Sequence, residues 1–292
     1  MINFYKILSL IILLLVIGLI IFAVPMSRCS MVVSPCEEDS TIIERSIFIG
    51  HPRTNNDVKQ SVLKSIEKID FSNFELTLLG GDLTVNINSK EALVYLDSIF
   101  DLSDPNTLLS RGNHDYPSTL LHDFTKRPSY YAYSRKGITY LILDTEEKPG
   151  NISNDQLKFI KKVTDTISHS KHLIVMHHRI IWMIGNKDLA PLLSFVGNST
   201  KQILKTNFYK DIYPLLVDVK EKGLTVICVG GDRTNINIEY ISSDNIQFIA
   251  TGMQPNQSDD VNYVVVFEHN ICNQTLSWLF EPLIKIKKKQ EI

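Results

Sequence analysis

The sequence predicts an α/β or α+β sandwich in which helices cover the faces of β-sheets. Short apolar runs rich in β-branched residues recur along residues 46–280, and many of them end at a glycine or a polar side chain. Amphipathic stretches with apolar residues at helical spacing lie between several of these runs. Strand, turn and helix in succession are typical of sheets that are covered by helices.

Predicted strands and helices follow one another along the chain after residue 43. The predicted elements, in chain order, are a strand at 46–50, a helix at 57–69, a strand and turn at 74–82, a helix at 89–102, a strand and loop at 106–115, a hairpin within 129–145, a helix at 153–167, a strand at 172–178, a helix at 208–223, a strand and turn at 224–232, and β structure at 238–252 and 262–280. Ser89 and Ser153 are the expected N-caps of two of the helices. Gly223 is expected to end the helix at 208–223.

The N-terminal segment is predicted to cross a membrane. Residues 7–24 carry no charge, and roughly 18 residues at about 1.5 Å each nearly span a hydrocarbon core of about 30 Å. Phe4 and Tyr5 fit an aromatic belt, and Lys6 marks the cytoplasmic end. A cleaved signal peptide has a shorter apolar region that ends in small residues. We therefore expect an uncleaved single-pass anchor at 1–26, with the remaining chain on the extracytoplasmic side.

Composition indicates one large globular domain, or two small ones, outside that anchor. The 292 residues are 44% hydrophobic and carry a formal net charge of −2, which gives no electrostatic basis for binding nucleic acid. We expect a linker at 27–43, a folded domain at 44–284 and a basic tail at 285–292. Loops near 84–90, 116–128 and 182–207 would govern specificity, but none carries a recognisable substrate signature.

The four cysteines fit an oxidising compartment without requiring one. Cys29 and Cys36 lie close together in the sequence and form either a disulfide or two free thiols. Cys228 and Cys272 lie in apolar strand-like runs and are expected to be buried thiols. Their spacing does not match a zinc site.

Polar side chains with metal-ligand chemistry follow five predicted strands. The segments are "FIGHPR" (48–53), "LLGGDLT" (78–84), "SRGNHD" (110–115), "VMHH" (175–178) and "VGGDRT" (229–234). A single such residue commonly serves as a turn or cap, but ligands in α/β sheets collect beyond the carboxyl ends of the strands. Mixed oxygen and imidazole ligands suit a divalent transition metal such as Mn, Fe or Zn.

Together these segments resemble the motifs of the calcineurin-like metallophosphoesterases, over roughly residues 46–270. That family has Asp-x-His, then Gly-Asp, then Gly-Asn-His-Asp or Glu, then a His after a strand, then Gly-His-x-His. The middle three motifs stand here as "GGD", "GNHD" and "MHH", in the same order. The resemblance implies a four-layer β-sandwich flanked by helices, one or two divalent metals per chain and a phosphate-ester substrate.

The resemblance also implies roles for individual residues. Asp82 would bridge two metals, with Asn113 and His177 as ligands of the second one. His114 would protonate the leaving oxygen or steady the phosphate. Asp115 would fix the tautomer of His114 through a hydrogen bond.

Two residues beside the fourth segment have roles that the motif leaves open. His178 is the weaker ligand candidate, because the ligand of the family is the first histidine after the strand, and we assign His178 to substrate binding. Arg179 is either a phosphate contact or a solvated charge.

The first and last motifs depart from the family pattern. "GHPR" puts His51 and Arg53 where the family has Asp and His, and "GGDRT" puts Asp232 and Thr234 in place of the two closing histidines. One metal position would retain four ligands, namely Asp82, Asn113, His177 and Asp232. The other would have only Asp82 and His51, with Arg53 beside them.

These departures predict one tightly held metal, with Arg53 acting as the second positive charge. Its guanidinium has a fixed charge and planar donors that suit phosphate oxygens, and the metal would polarise a phosphoryl oxygen and acidify an attacking water. The expected function is a membrane-anchored phosphoesterase that hydrolyses a phosphomonoester or a phosphodiester. The alternatives are an inactive relative that binds a phosphorylated ligand or partner in the cell envelope, and a structural partner whose strand-end residues are only turns and caps.

Overall fold

The computed structural model describes residues 36, 41–55, 60–87, 89–115 and 119–288. The predicted anchor at 1–26 lies outside these residues, as does most of the linker and the end of the basic tail. Among the helices of the described ranges, none combines the length and the apolar character that a membrane span requires. The elements below all belong to one compact unit that begins at Thr41.

Two β-sheets form the centre of this unit. The first sheet has the strand order β11-β10-β1-β2-β3 and contains β1 (Ile43–Ile49), β2 (Leu76–Leu79), β3 (Thr107–Leu109), β10 (Tyr263–Asn270) and β11 (Thr275–Pro282). The second has the order β4-β5-β6-β7-β9-β8 and contains β4 (Tyr131–Arg135), β5 (Ile138–Ile142), β6 (His172–His177), β7 (Thr225–Gly230), β8 (Ile238–Ile241) and β9 (Gln247–Ala250). Strands β1, β2 and β3 run parallel, as do β5, β6, β7 and β9.

Helices connect the strands. The α-helices are α1 (Lys64–Glu67), α2 (Lys90–Phe100), α3 (Thr119–Thr125), α4 (Asn154–Thr166), α5 (Asn198–Lys201) and α6 (Tyr213–Glu221), and a π-helical turn at Phe208–Ile212 precedes α6. Short 3₁₀ turns lie at Phe71–Asn73, Ile181–Met183, Ala190–Phe195 and Leu283–Lys285. The predicted caps are confirmed, because Ser89 and Ser153 accept hydrogen bonds from the backbone N–H groups of Ala92 and Gln156.

Alternating side chains on the strands divide the apolar core into layers. Ile47 and Ile49 of β1 face one outer layer, whereas Phe48 faces the space between the sheets. Leu173 and Val175 of β6 likewise face the other outer layer, and the intervening Ile174 and Met176 face the space between the sheets. Because successive strand residues point to opposite faces, the central strands β2, β5 and β6 are buried on both sides. The predicted helix-flanked, two-sheet architecture is therefore present.

The predicted helix at 57–69 is wrong in extent, since only Lys64–Glu67 is helical in its described part. The preceding residues pair with the loop after β1 instead. Val62 forms an antiparallel bridge with Arg53, and the backbone N–H of Thr54 donates to Ser61 O at 2.8 Å. Backbone hydrogen bonds to this loop outweigh the helical pattern of the apolar side chains.

The cysteines differ in part from the prediction. Cys228 is a free, fully buried thiol, as expected. Cys272 is not free, because Cys36 and Cys272 are both disulfide-bonded. Cys29 lies outside the described residues. The apolar run around Cys272 suggested burial, but the residue lies in the turn between β10 and β11 and is partly exposed.

Glycines bring the carboxyl ends of the two sheets together. A Cβ atom on Gly231, just after β7, would lie 2.2 Å from the carbonyl oxygen of Gly80, just after β2. A Cβ atom on Gly80 would lie 2.8 Å from the Cα of Gly231. No other residue permits backbones to approach so closely. The loops that follow the strands of both sheets therefore meet at one place.

Candidate metal centre

Four of the five strand-end segments line one polar cleft of about 280 Å³, and Arg179, directly after the segment 175–178, lines it as well. The cleft is lined by His51, Arg53, Asp82, Asn113, His114, Arg179, Gly197, Asn198, Ser199, Gln202, Asp232 and Arg233. Nearly all of these side chains are charged or can form hydrogen bonds. Such a lining suits a small, highly charged ligand better than an apolar one.

Two carboxylates and an imidazole form a buried cluster beside this cleft. The ligand atoms of Asp82, His178 and Asp232 all lie within 4.8 Å of one another. His178 Nε2 lies 3.5 Å from Asp82 Oδ1 and 3.8 Å from Asp232 Oδ1. His178 Nδ1 donates to the carbonyl oxygen of Gly80 at 2.8 Å, so that Nε2 faces the carboxylates. A backbone carbonyl that fixes the ring in this way is the usual support of a metal-bound histidine.

Unpaired buried atoms strengthen this interpretation. In the described part of the chain, His178 Nε2 and Asn113 Oδ1 are among the buried atoms that have no hydrogen-bond partner. Asn113 lines the same cleft as Asp82 and Asp232. An unpaired buried polar atom costs free energy, and a divalent ion bound by these atoms would remove that cost. Their oxygen and imidazole chemistry fits Mn, Fe or Zn.

The cluster has a negative electrostatic character. Burial alone would lower the pKa of His178, but the carboxylates of Asp82 and Asp232 outweigh it and raise that pKa to about 9. Burial would raise the pKa of Asp82, yet His178, His51 and His114 keep it below its usual value. The same two carboxylates that stabilise a proton on His178 would stabilise a metal cation in its place.

His178, rather than His177, belongs to this cluster, whereas the sequence motif favoured His177 as the metal ligand. His177 has the same parity along β6 as Leu173 and Val175 and therefore points to the outer layer. Its Nδ1 donates to the carbonyl oxygen of Arg179 at 2.8 Å. Burial lowers the pKa of His177 to about 4. His178 lies one residue further on and turns toward the space between the sheets.

Arg53 and His51 lie on the other side of Asp82. Arg53 Nε is 3.9 Å and His51 Nε2 is 3.7 Å from Asp82 Oδ2. His51 Nδ1 donates to the carbonyl oxygen of Met253 at 2.9 Å, and burial lowers the pKa of His51 to about 4. The two oxygens of Asp82 thus face different partners, with His178 on the Oδ1 side and a guanidinium and a neutral imidazole on the Oδ2 side.

Two residues of the site have a left-handed backbone conformation, which six other non-glycine residues of the described chain also adopt. Asp82 has a φ of 55° and His51 a φ of 50°, both in the left-handed region. Non-glycine residues adopt this conformation at a cost, and Asp and His do so more readily than most others. A Cβ atom on Gly112 would lie only 2.2 Å from Asp82 Oδ1, which explains why glycine precedes Asn113.

Asp115 does not contact the ring of His114, contrary to the prediction. Its carboxylate accepts backbone N–H groups from Asp82 at 2.6 Å, Leu83 at 3.0 Å and Gly112 at 2.9 Å. Burial and the neighbouring Asp82 raise the pKa of Asp115 to about 7. Asp115 therefore joins the loops after β2 and β3 and has no direct role at the His114 ring.

A backbone carbonyl fixes the tautomer of His114 instead. His114 Nδ1 donates to the carbonyl oxygen of Val85 at 2.5 Å. Since a carbonyl only accepts, Nε2 carries the lone pair and accepts from Arg53 Nη2 at 3.1 Å. Arg53 thus connects Asp82 to His114 across the cleft.

The closing segment places Asp232 at the cluster and Thr234 elsewhere. Asp232 Oδ2 accepts from the backbone N–H of Thr200 at 3.0 Å and from its hydroxyl at 2.6 Å. Its Oδ1 accepts from the backbone N–H of Arg233 at 2.8 Å and still faces His178. The Thr234 hydroxyl bonds the backbone N–H of Gly252 at 3.1 Å. Thr234 is thus a structural residue.

Arg179 is neither a solvated charge nor free to bind phosphate. Its Nε donates to both carboxylate oxygens of Glu146, at 2.7 and 2.9 Å, and Nη2 donates at 2.6 Å. Its Nη1 donates to the carbonyl oxygen of Ser199. The pair is buried, so Arg179 supports one wall of the cleft with its charge already neutralised.

One wall of the cleft is formed by residues that the motif comparison did not single out. Residues 197–202, within the loop expected to govern specificity, contribute Asn198, Ser199 and Gln202. Arg233 is also present, next to Asp232 in "GGDRT". When that segment is aligned with Gly-His-x-His, Arg233 falls on the variable position between the two histidines. Its position inside a strand-end segment was the available signal.

Comparison with known proteins identifies the fold but no family. No family model matches the chain, and no curated protein matches its sequence. Among solved structures it is similar to a dimetal phosphatase from Danio rerio, with a TM-score of 0.55 and 10% identity over 84% of this chain and 98% of that one. At that identity the similarity concerns the fold. It supports the predicted metallophosphoesterase-like architecture for the two sheets.

Proposed function

We propose that this chain is a phosphoesterase that holds one divalent metal ion and uses Arg53 as its second positive charge. The arrangement around Asp82 carries the proposal. Its Oδ1 faces His178 in a cluster with metal-ligand chemistry, whereas its Oδ2 faces the Arg53 guanidinium at 3.9 Å. A carboxylate that bridges two metals in the dimetal enzymes would here bridge a metal and an arginine.

The residues that would hold the metal are Asp82, Asn113, His178 and Asp232. They supply two carboxylates, an amide oxygen and an imidazole from four separate loops. A divalent ion bound there supplies Lewis acidity toward a phosphoryl oxygen and makes water more acidic. On the opposite side, His51 and Asp82 Oδ2 would leave a second ion with two ligands and a fixed cation as neighbour, which does not favour tight binding.

Residues of the chain would bind and orient the phosphate. The Arg53 guanidinium can form paired hydrogen bonds with two phosphoryl oxygens. A phosphate that draws Arg53 toward itself would release Nε2 of His114. That nitrogen could then take up a proton from solvent and donate it to the leaving oxygen, while Val85 continues to hold Nδ1.

A second candidate is a non-catalytic protein that binds phosphorylated ligands. The contact between Arg53 Nη2 and His114 Nε2 favours it, because a donor occupies the nitrogen that would otherwise serve the leaving group. In this alternative, Arg53 and the metal would bind phosphate without hydrolysis.

We further propose that the chain is anchored in a membrane with the folded domain on the extracytoplasmic side. The uncharged segment 7–24 supports the anchor. Disulfide bonding of Cys36 and Cys272 is in keeping with an oxidising compartment.

Metal content and hydrolysis, measured on the purified full chain in detergent, test the proposed function. After metal supplementation and washing, we expect about one transition-metal ion per chain and slow hydrolysis of an aryl phosphate. Asp82→Asn and His178→Ala should each lower the metal content at least about tenfold, because each removes a ligand, and should abolish hydrolysis.

His177→Ala provides the matched control, since it removes a neighbouring buried imidazole that points away from the cluster. This variant should keep its metal if it folds. Equal metal loss in both histidine variants would refute the proposed ligand set. Full metal content without hydrolysis of mono- or diesters would favour the non-catalytic candidate.

A further inference from the structure

Among the described residues, Arg233 is a cation of the cleft with no acidic partner. In the described part of the chain, its guanidinium takes part in no hydrogen bond or ion pair, and its backbone N–H alone is bonded, to Asp232 Oδ1. The side chain is half-buried and lines the cleft. Its charge also acts on Arg53, because the two guanidinium groups repel and Arg233 contributes to lowering the pKa of Arg53, after burial as the main cause.

The other charges that line the cleft are compensated. Arg179 is neutralised by Glu146 at 2.6 Å. The carboxylates of Asp82 and Asp232 would be matched by one divalent ion. Nε2 of His114 accepts from Arg53 Nη2, and burial lowers the pKa of His51 to about 4, so neither ring adds a positive charge at pH 8. Asp115 does not line the cleft, and its carboxylate accepts hydrogen bonds from three backbone N–H groups.

Two positive charges then remain in a site of about 280 Å³, on Arg53 and Arg233. A phosphomonoester carries up to two negative charges at pH 8 because its second pKa is about 6. A phosphodiester carries only one negative charge. Two like charges in a small site repel each other, and an anion of matching charge between them offsets this repulsion.

We propose that Arg233 makes this cleft selective for dianionic phosphomonoesters over phosphodiesters. Arg53 binds the phosphate from the Asp82 side, and Arg233 binds it from the wall formed by residues 197–202. This inference rests on the proposed function, because it places the phosphoryl group in the same cleft, but it concerns binding and does not require turnover.

The test measures binding of methyl phosphate and dimethyl phosphate to the metal-loaded full chain at pH 8 by calorimetry. These ligands differ by one methyl group and one charge. The native chain should bind methyl phosphate at least about tenfold more tightly, which is the range of one charge-assisted hydrogen bond. Arg233→Ala should weaken methyl phosphate binding about tenfold or more and dimethyl phosphate binding much less.

Lys162→Ala is the matched control, because it removes one positive charge from an exposed position of helix α4 that does not line the cleft. It should leave both affinities nearly unchanged, and all three proteins should hold equal amounts of metal. Absence of a preference in the native chain, or equal effects of the two variants, would overturn the inference. Selective binding without hydrolysis would refute the phosphoesterase proposal and leave the role of Arg233 intact.

Discussion

At the scale of single residues, Arg53 distinguishes this site from one built for two metals. It occupies the position where a metallophosphoesterase motif has histidine, and its guanidinium lies beside the outer oxygen of Asp82. His51 lies 3.7 Å from the same oxygen with an unprotonated nitrogen turned toward it. The cation at position 53 and the structural Thr234 thus both stand where the resembling motifs have a histidine.

Arg53→His should increase the metal content from about one to about two ions per chain in the presence of excess Mn²⁺, because an imidazole replaces a fixed charge with a ligand. Arg53→Ala removes the charge without adding a ligand, so its metal content should remain near one ion per chain. Metal analysis after gel filtration measures both variants. A content of one ion in both variants would mean that His51 and Asp82 Oδ2 cannot take part in a second site.

At the scale of elements, the end of β6 decides which histidine can act in the site. The strand alternates between the outer layer and the space between the sheets up to His177. Two adjacent histidines therefore acquire opposite electrostatic properties. Burial lowers the pKa of His177, whereas the two carboxylates raise the pKa of His178.

The low pKa of His177 predicts how stability depends on pH. Its pKa is about 4 in the folded chain and about 6.5 when unfolded, so the unfolded state takes up the proton first. The contribution of His177 to stability is therefore complete above pH 6.5 and is lost as the pH falls toward 4. His177→Asn retains a donor near Nδ1 and removes the titration.

Urea unfolding of the metal-free chain between pH 6 and 4.5 measures this effect. As the pH falls, the free energy of unfolding of the native chain should decrease by up to about 1.4 kcal/mol per pH unit more than that of His177→Asn. His122→Asn, at an exposed position of α3, should follow the native profile. Parallel profiles for the native chain and His177→Asn would show that His177 titrates normally in the fold.

At the scale of the whole molecule, the two sheets meet at the end where their parallel strands terminate. Gly80 and Gly231 allow the backbones to touch, and Asp82 and Asp232 follow them by one or two residues. The ligands of the proposed metal thus come from both sheets. A bound ion would stabilise this contact by mass action as well as take part in chemistry.

The anchoring proposal also belongs to this scale. The full chain with a C-terminal epitope tag, expressed in a bacterial host, should stay in the membrane fraction after alkaline carbonate extraction. Protease added outside spheroplasts should remove the tag. Replacing both Leu14 and Ile17 by Arg should release the chain from the membrane, since each charge at the centre of a span costs about 2.5–3.5 kcal/mol. Retention of the tag, or carbonate extraction of the native chain, would contradict the proposal.

The sequence by itself determined the alternation of strands and helices, the helix caps and the loops that meet at the cleft. These features depend on local patterns, namely side-chain periodicity, capping residues and the glycines that follow strands. The predicted helix at 57–69 was wrong in extent, because backbone groups there bond to a neighbouring loop. The periodicity of apolar side chains carries no information about such bonds.

Only the tertiary structure decided which side chains face one another. His178, not His177, lies in the buried cluster, and the carbonyl oxygen of Val85, not Asp115, accepts a hydrogen bond from the ring of His114. Arg233 lines the cleft. Each of these outcomes depends on the direction of a side chain at the end of a strand and on a partner far away in the sequence. Motif order places residues near a site, but the distances between their atoms arise from the packing of the two sheets.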